Sequence, residues 1–311
     1  MGDLLSKSTR SFSEYQPTNK TVSHPILGAF PVFQDPNTNN RILQKKINPN
    51  QIDSAKKQVL RANLLLSHPN ISKFEGYDEL SDNECLVFFE YFDFTLKAEI
   101  QKKASEKTRF TEEELVQFIR NTSAGLAYLE EKRMVHGQIR VENIVKVGQQ
   151  YKLLNMTTFG NYKSTYHQAL EEMRRTQIRL LSPQLQDALH NKIVDPVHEG
   201  YKDDVYALGV VVLDMMALCT DSSIPVADKL KKATEIYSKP LINFVKKMLE
   251  HIMSLRFDCI SCNRYIEEVY VGMGQNRNSL TTSRISLGKS YLQANRNHEI
   301  VPVILFCFEI Y

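Results

Sequence analysis

The chain has 311 residues, 42% hydrophobic and 24% charged, an ordinary globular balance that excludes wholesale disorder. Thirty-nine Lys and Arg against 36 Asp and Glu leave a net charge of +3, which is no footprint for a domain living on nucleic acid. Five cysteines are too few for a disulfide scaffold of this length, and no run reaches the ~18 apolar residues of a membrane helix.

Residues 1–24, rich in Ser, Thr, Asn and Lys, are expected to form a flexible N-terminal arm. The opening MGDLLSKSTRSFSEY has no apolar segment of the secretory kind, so a cytoplasmic protein with reduced thiols is expected. Met1-Gly2-Asp3-Leu4-Leu5-Ser6 fits the simple acylation pattern, but the charge of Asp3 directly after Gly2 is unfavourable. Membrane attachment, which would require acylation of Gly2, is therefore not expected.

Short apolar stretches over 26–33 and 41–47, separated by Asp35-Pro36-Asn37 and Asn39-Asn40, predict two strands and a turn. Ile52, Ala55, Val59 and Leu66 then fall near one helical face, and the run ECLVFFEYF (84–92) reads as β. Thr111 followed by Glu114 is a capping box, opening an amphipathic helix that ends near Lys132. Strands are predicted over 143–147 and 151–154 about the turn Gly148-Gln149-Gln150, and a polar break over 161–177. Residues 205–218 are apolar on nearly every side yet too short to span a bilayer and contain Asp214, so a buried central helix is predicted. Further helices fit 240–252 and 263–271, and 272–298 reads as disordered. Cys259 and Cys262 form a lone CxxC, which lacks the four ligands of a zinc site and is read as two packing cysteines. The final EIVPVILFCFEIY turns abruptly hydrophobic; packing on the body of the protein, docking on a partner and a misread gene all fit it.

His136-Gly137-Gln138-Ile139-Arg140-Val141-Glu142-Asn143, placed between a helix and a short strand, resembles the catalytic loop of protein kinases. The family order continues around it. Residues 41–47 (RILQKKI) resemble the lysine-bearing strand, His68-Pro69-Asn70-Ile71 the segment after the small-lobe helix, and Phe89-Glu90-Tyr91-Phe92 the hinge between lobes. Leu181-Ser182-Pro183-Gln184 resembles A-P-E, and 204–209 the start of the large-lobe helix. The resemblance implies an α+β bilobal fold. The kinase-like domain would span 25–271, with a small lobe over about 25–89, a large lobe over about 93–271 and a tail over 272–311.

The same resemblance implies a nucleotide site, and the residues at its positions are degraded. Gly28 is the only glycine of the matching loop, where Ala29, Phe30 and Pro31 stand in place of bare backbone. Alternation puts Leu43, Lys45 and Ile47 on one face, and the family pattern of a roof residue two before the lysine then implies Lys45 as the phosphate lysine, Leu43 as the roof and Lys46 as a solvated neighbour. The acidic partner of that lysine should fall near Gln58 or Val59, and neither is acidic. Gln138 replaces the aspartate that would take the substrate's proton, and an amide has no useful basicity near neutral pH. Arg140 retains a cation, while Asn143 could hold a metal or simply brace the loop. The D-F-G aspartate corresponds to Asn155 in one register and to Thr158 in another, so neither supplies the carboxylate that Mg²⁺ prefers. Gln184 replaces a glutamate that would pair with Arg256.

The implied nucleotide contacts are thus Gly28, Leu43, Lys45, Glu90, Phe92, Arg140, Asn143 and Asn155, with ATP the ligand to test and Mg²⁺ not expected. No catalytic residue and no metal ligand is expected. The resulting expectation is a pseudokinase that signals through protein partners; its rivals are an atypical active kinase and a metal-independent ATP sensor.

Overall fold

The computed structural model describes residues 12–47, 54–80, 84–156, 164–172 and 178–268. The small lobe is a five-stranded antiparallel sheet in the order β1-β2-β3-β5-β4. Its strands are β1 (Gln16–His24), β2 (Gly28–Gln34), β3 (Arg41–Ile47), β4 (Phe74–Leu80) and β5 (Glu84–Glu90). The β2–β3 turn forms because Asp35 Oδ1 accepts from the N–H of Asn37 at 2.9 Å and Asp35 Oδ2 from Thr38 Oγ1 at 2.7 Å, while Asn39 takes a left-handed φ of 59°. Helix α1 (Ser54–Leu64) turns Leu60 and Asn63 inward.

The flexible-arm expectation for residues 1–24 is corrected over its described part. Gln16–His24 is strand β1, paired with β2 from Gln16↔Gln34 to His24↔Gly28. Just before it, Phe12 and Tyr15 bury against Ile42 and Phe88 on the outer face of the sheet, the Phe12 and Phe88 rings stacking at 4.0 Å. Polar composition hid this because only alternate residues of an edge strand need be apolar. Residues 1–11, including Gly2, lie outside the described residues.

Below the sheet come β6 (Phe94–Thr95), α2 (Leu96–Ser105) and α3 (Glu112–Glu131). The capping box is present in full: Thr111 Oγ1 accepts from the N–H of Glu114, and the Glu114 carboxylate accepts from the N–H of Thr111. Strands β7 (Ile144–Val147) and β8 (Gln150–Leu153) complete a three-stranded sheet, β6-β7-β8. The polar break expected over 161–177 is also corrected. Thr165–Glu172 is a helix, α4, held because Tyr166 and Ala169 bury against Leu181 and Leu185.

Helix α5 (Pro183–His190) leads to the central helix α6 (Gly200–Ala217), whose residues 204–216 are all buried. Its charge Asp214 is compensated by a bidentate Arg179 (2.7 and 2.6 Å) and by Lys229 (2.8 Å). Helices α7 (Val226–Thr234), α8 (Lys239–Met248) and α9 (Cys259–Ile266) pack around it. Helix α8 ends before the expected 252. Helix α9 starts earlier than the expected 263 because Asp258 caps it, accepting from the N–H of Ser261 at 2.7 Å. Cys259 and Cys262 are buried packing thiols on α9, and burial pushes both thiol pKa values up. Among the described residues no helix is long and apolar enough to cross a membrane.

Candidate functional site

Aromatic and aliphatic side chains of the small lobe pack together where its sheet faces the large lobe. Phe30 points inward from β2 with 1% of its surface exposed. Its ring meets Phe89 of β5 edge-on at 6.4 Å and Phe92, just beyond β5, at 6.3 Å. Leu43 and Val32 share one hydrophobic cluster with these rings and with Val145 and Leu154 of the large lobe. The apolar residues expected to enclose a base are thus packed into a continuous core.

On β3, Lys45 is half-buried and Lys46 is exposed. The Lys45 ammonium donates to the carbonyl of Leu27 at 2.5 Å and lies 5.4 Å from the centroid of Phe30. Burial pushes its pKa below the usual lysine value. Among the described residues no carboxylate pairs with it, and Gln58 is exposed.

His24 ties the β1–β2 turn to the large lobe. Its Nδ1 accepts from the N–H groups of Ile26 (3.2 Å) and Leu27 (3.0 Å), which leaves the proton on Nε2. Nε2–H then donates to the Glu142 carbonyl at 2.8 Å. Burial dominates this site and lowers the His24 pKa to about 4, so the ring is neutral near pH 7. Gly28, with φ +80° and open space where a Cβ would stand, serves this tight turn.

In the catalytic-like loop, Asp204 accepts from the N–H groups of His136 and Gly137, both at 2.8 Å, anchoring the loop to α6. His136 Nε2 bonds the Leu154 carbonyl, and burial lowers its pKa to about 4. Gln138 is 1% exposed. Asn143 donates to the Gln138 carbonyl at 2.9 Å, so it braces the loop. Arg140, 5% exposed, donates to Gln168 of α4 at 3.1 Å. Helix α4 is itself seated on this loop, because both the N–H and the hydroxyl of Thr165 donate to the Gly137 carbonyl.

Two expected contacts are engaged elsewhere. Glu90 pairs with Lys152 (2.5 Å) and accepts from the N–H of Lys73, while its own N–H donates to the Lys73 carbonyl. Asn155 lies two residues beyond the end of β8 and donates to Asn63 of α1 at 2.7 Å. Thr158, the other register, lies outside the described residues. These amides do not fit a magnesium site: Asn143 and Asn155 offer neutral oxygens only, and the cation wants anionic ones. The Gln184–Arg256 bond predicted from sequence is present at 3.0 Å, and Arg256 also reaches Asp203 at 3.6 Å.

Sequence reasoning missed His24 and α4. A lone His before a Pro-Ile-Leu-Gly turn carries no local signal, and its partner Glu142 lies 118 residues away.

A family model described as protein tyrosine and serine/threonine kinase matches residues 26–265. The chain is also 26% identical over 151 residues to mitogen-activated protein kinase kinase kinase 5 of Arabidopsis thaliana, a match covering 48% of this chain and 20% of that protein. The chain thus matches about a fifth of that relative's length.

Proposed function

The chain belongs to the protein kinase superfamily, and from that premise we propose that it works as a pseudokinase: an interaction or allosteric module in the cytoplasm with little or no phosphotransfer. The observation that carries this reading is the packing of Phe30 among Phe89, Phe92 and Leu43, with the Lys45 ammonium held by the Leu27 carbonyl. A nucleotide would have to displace a buried aromatic ring and break that charge-assisted bond before making any contact of its own. Gln138 offers no base, and removing a general base costs ~10²–10⁴ in rate. An amide in place of a carboxylate at Asn155 leaves a metal without an anionic partner, and even two unit charges ~4 Å apart attract by ~4 kcal/mol at an effective dielectric of ~20. The partners of such a module are proteins that read its surface.

Calorimetry with ATP, with and without Mg²⁺, tests this directly, alongside radiolabel transfer to generic substrates. No transfer is expected, and any ATP heat should be weak and indifferent to Mg²⁺. Micromolar affinity that collapses on chelation, or transfer that vanishes in Lys45→Met, would overturn the reading.

A further inference from the structure

A cavity of about 260 Å³ lies where the β1–β2 turn meets the large lobe, bounded also by α2, the catalytic-like loop, the chain just before α5 and the chain just beyond α6. Its walls are cross-braced. His24 Nε2–H holds the turn to the Glu142 carbonyl (2.8 Å), and the Lys97 ammonium of α2 donates to the Glu142 carboxylate (3.1 Å). Beyond α6, Lys229 donates to the carbonyls of Cys219 (2.9 Å) and Asp221 (3.0 Å), and Arg179 to that of Thr220 (3.4 Å).

The charge of this cavity is one-sided. Arg140 and Arg179 both line it, and Lys229 shares the Asp214 carboxylate with Arg179. Together the three cations carry more charge than that one buried carboxylate offsets, and Nε of Arg179 is buried with no acceptor among the described residues. Lys97 and Glu142 offset each other, while the exposed Asp221 carboxylate accepts from the N–H and hydroxyl of Ser223, both at 2.8 Å. Surplus positive charge held away from water is costly, and an anion entering the cavity offsets it. The volume falls below the roughly 300–1,000 Å³ of a site for a whole small molecule and suits a single side chain. Apolar Ile26, 47% exposed, lines the cavity beside the cations. A bare inorganic ion would leave it in water, whereas a peptide brings apolar neighbours to cover it.

We propose that this cavity receives an anionic side chain of a partner protein, a carboxylate or a phosphorylated residue, held by Arg140, Arg179 and Lys97. This rests on the reading that the module works through protein partners and names the chemistry of one such contact; nucleotide binding, the test of the pseudokinase reading, is measured separately. Fluorescein-labelled pools of short peptides, degenerate except for a central glutamate, phosphoserine, glutamine or lysine, are titrated with the full chain by anisotropy at about 50 mM salt. The glutamate pool, the phosphoserine pool or both should bind, which identifies the source of the charge, and the glutamine and lysine pools should bind roughly tenfold more weakly. Lys97→Glu and, separately, Ser222→Asp add negative charge at the cavity wall without touching the Arg179–Asp214 pair. Each should weaken binding of the anionic pool roughly tenfold while far-ultraviolet circular dichroism stays unchanged. No binding of either anionic pool, equal binding of the lysine pool, or an affinity unmoved in the folded variants would overturn the proposal.

Discussion

Replacing His24 by Gln should change the pH dependence of folding by an amount the structure sets. His24 is 1% exposed, and its neutral form is required because Nδ1 accepts two backbone N–H bonds while Nε2–H reaches the Glu142 carbonyl. Burial is the main cause of its lowered pKa; the charges of Arg140 and Lys45 push the same way, and that of Glu142 opposes them. The pKa falls from 6.5 to about 4 on folding. Between those values the unfolded chain binds the proton that the folded chain refuses, so stability is lost as pH falls below 6.5. At 1.36 kcal/mol for each unit of pH, the loss is about 2 kcal/mol by pH 5 and on the order of 3 kcal/mol by pH 4. His24→Gln cannot titrate, so the stability advantage of the wild type over the variant should shrink by about 2 kcal/mol between pH 7.5 and pH 5. Urea unfolding of both proteins at the two pH values measures this, and the comparison cancels the slopes of His136 and Asp204, which both proteins share. An advantage that stays constant within about 0.5 kcal/mol would show that His24 does not hold the turn against the large lobe.

Other expectations follow from single residues. Phe30→Ala replaces a fully buried ring with a void and should cost ~3–5 kcal/mol in urea unfolding; wild-type behaviour would place Phe30 outside the cleft. Leu208→Ala, in the core of α6, should cost ~2–5 kcal/mol, and an unchanged melting temperature would contradict its burial. Asp214→Ala strands Arg179 and Lys229 without their carboxylate and should cost ~3–5 kcal/mol; full stability in that variant would show the pair to be solvated. On the proposed reading, Gln138→Asp alone should not yield phosphotransfer in a radiolabel assay, because neither Asn155 nor Thr158 offers a metal a carboxylate and residues of one site act as a unit.

Much of the scaffold could be read from the chain alone. The helix from Thr111, the apolar run of α6, the Lys45 face of β3 and the Gln184–Arg256 bond all depend on local periodicity or on motif order, which sequence carries directly. That Gln138 and Asn155 carry amides rather than carboxylates was equally plain, since residue identity alone determines what an amide can do. Tertiary structure decided the rest. Strand β1 and helix α4 exist because distant surfaces, Phe88 for the residues just before β1 and Leu181 and Leu185 for α4, bury a few side chains in otherwise polar stretches. The burial of Phe30 depended on Phe89 and Phe92 arriving from another strand and the chain beyond it. The bond from His24 to Glu142 joins residues that no local pattern relates, because the free energy of burying a neutral imidazole is determined by the walls that fold around it.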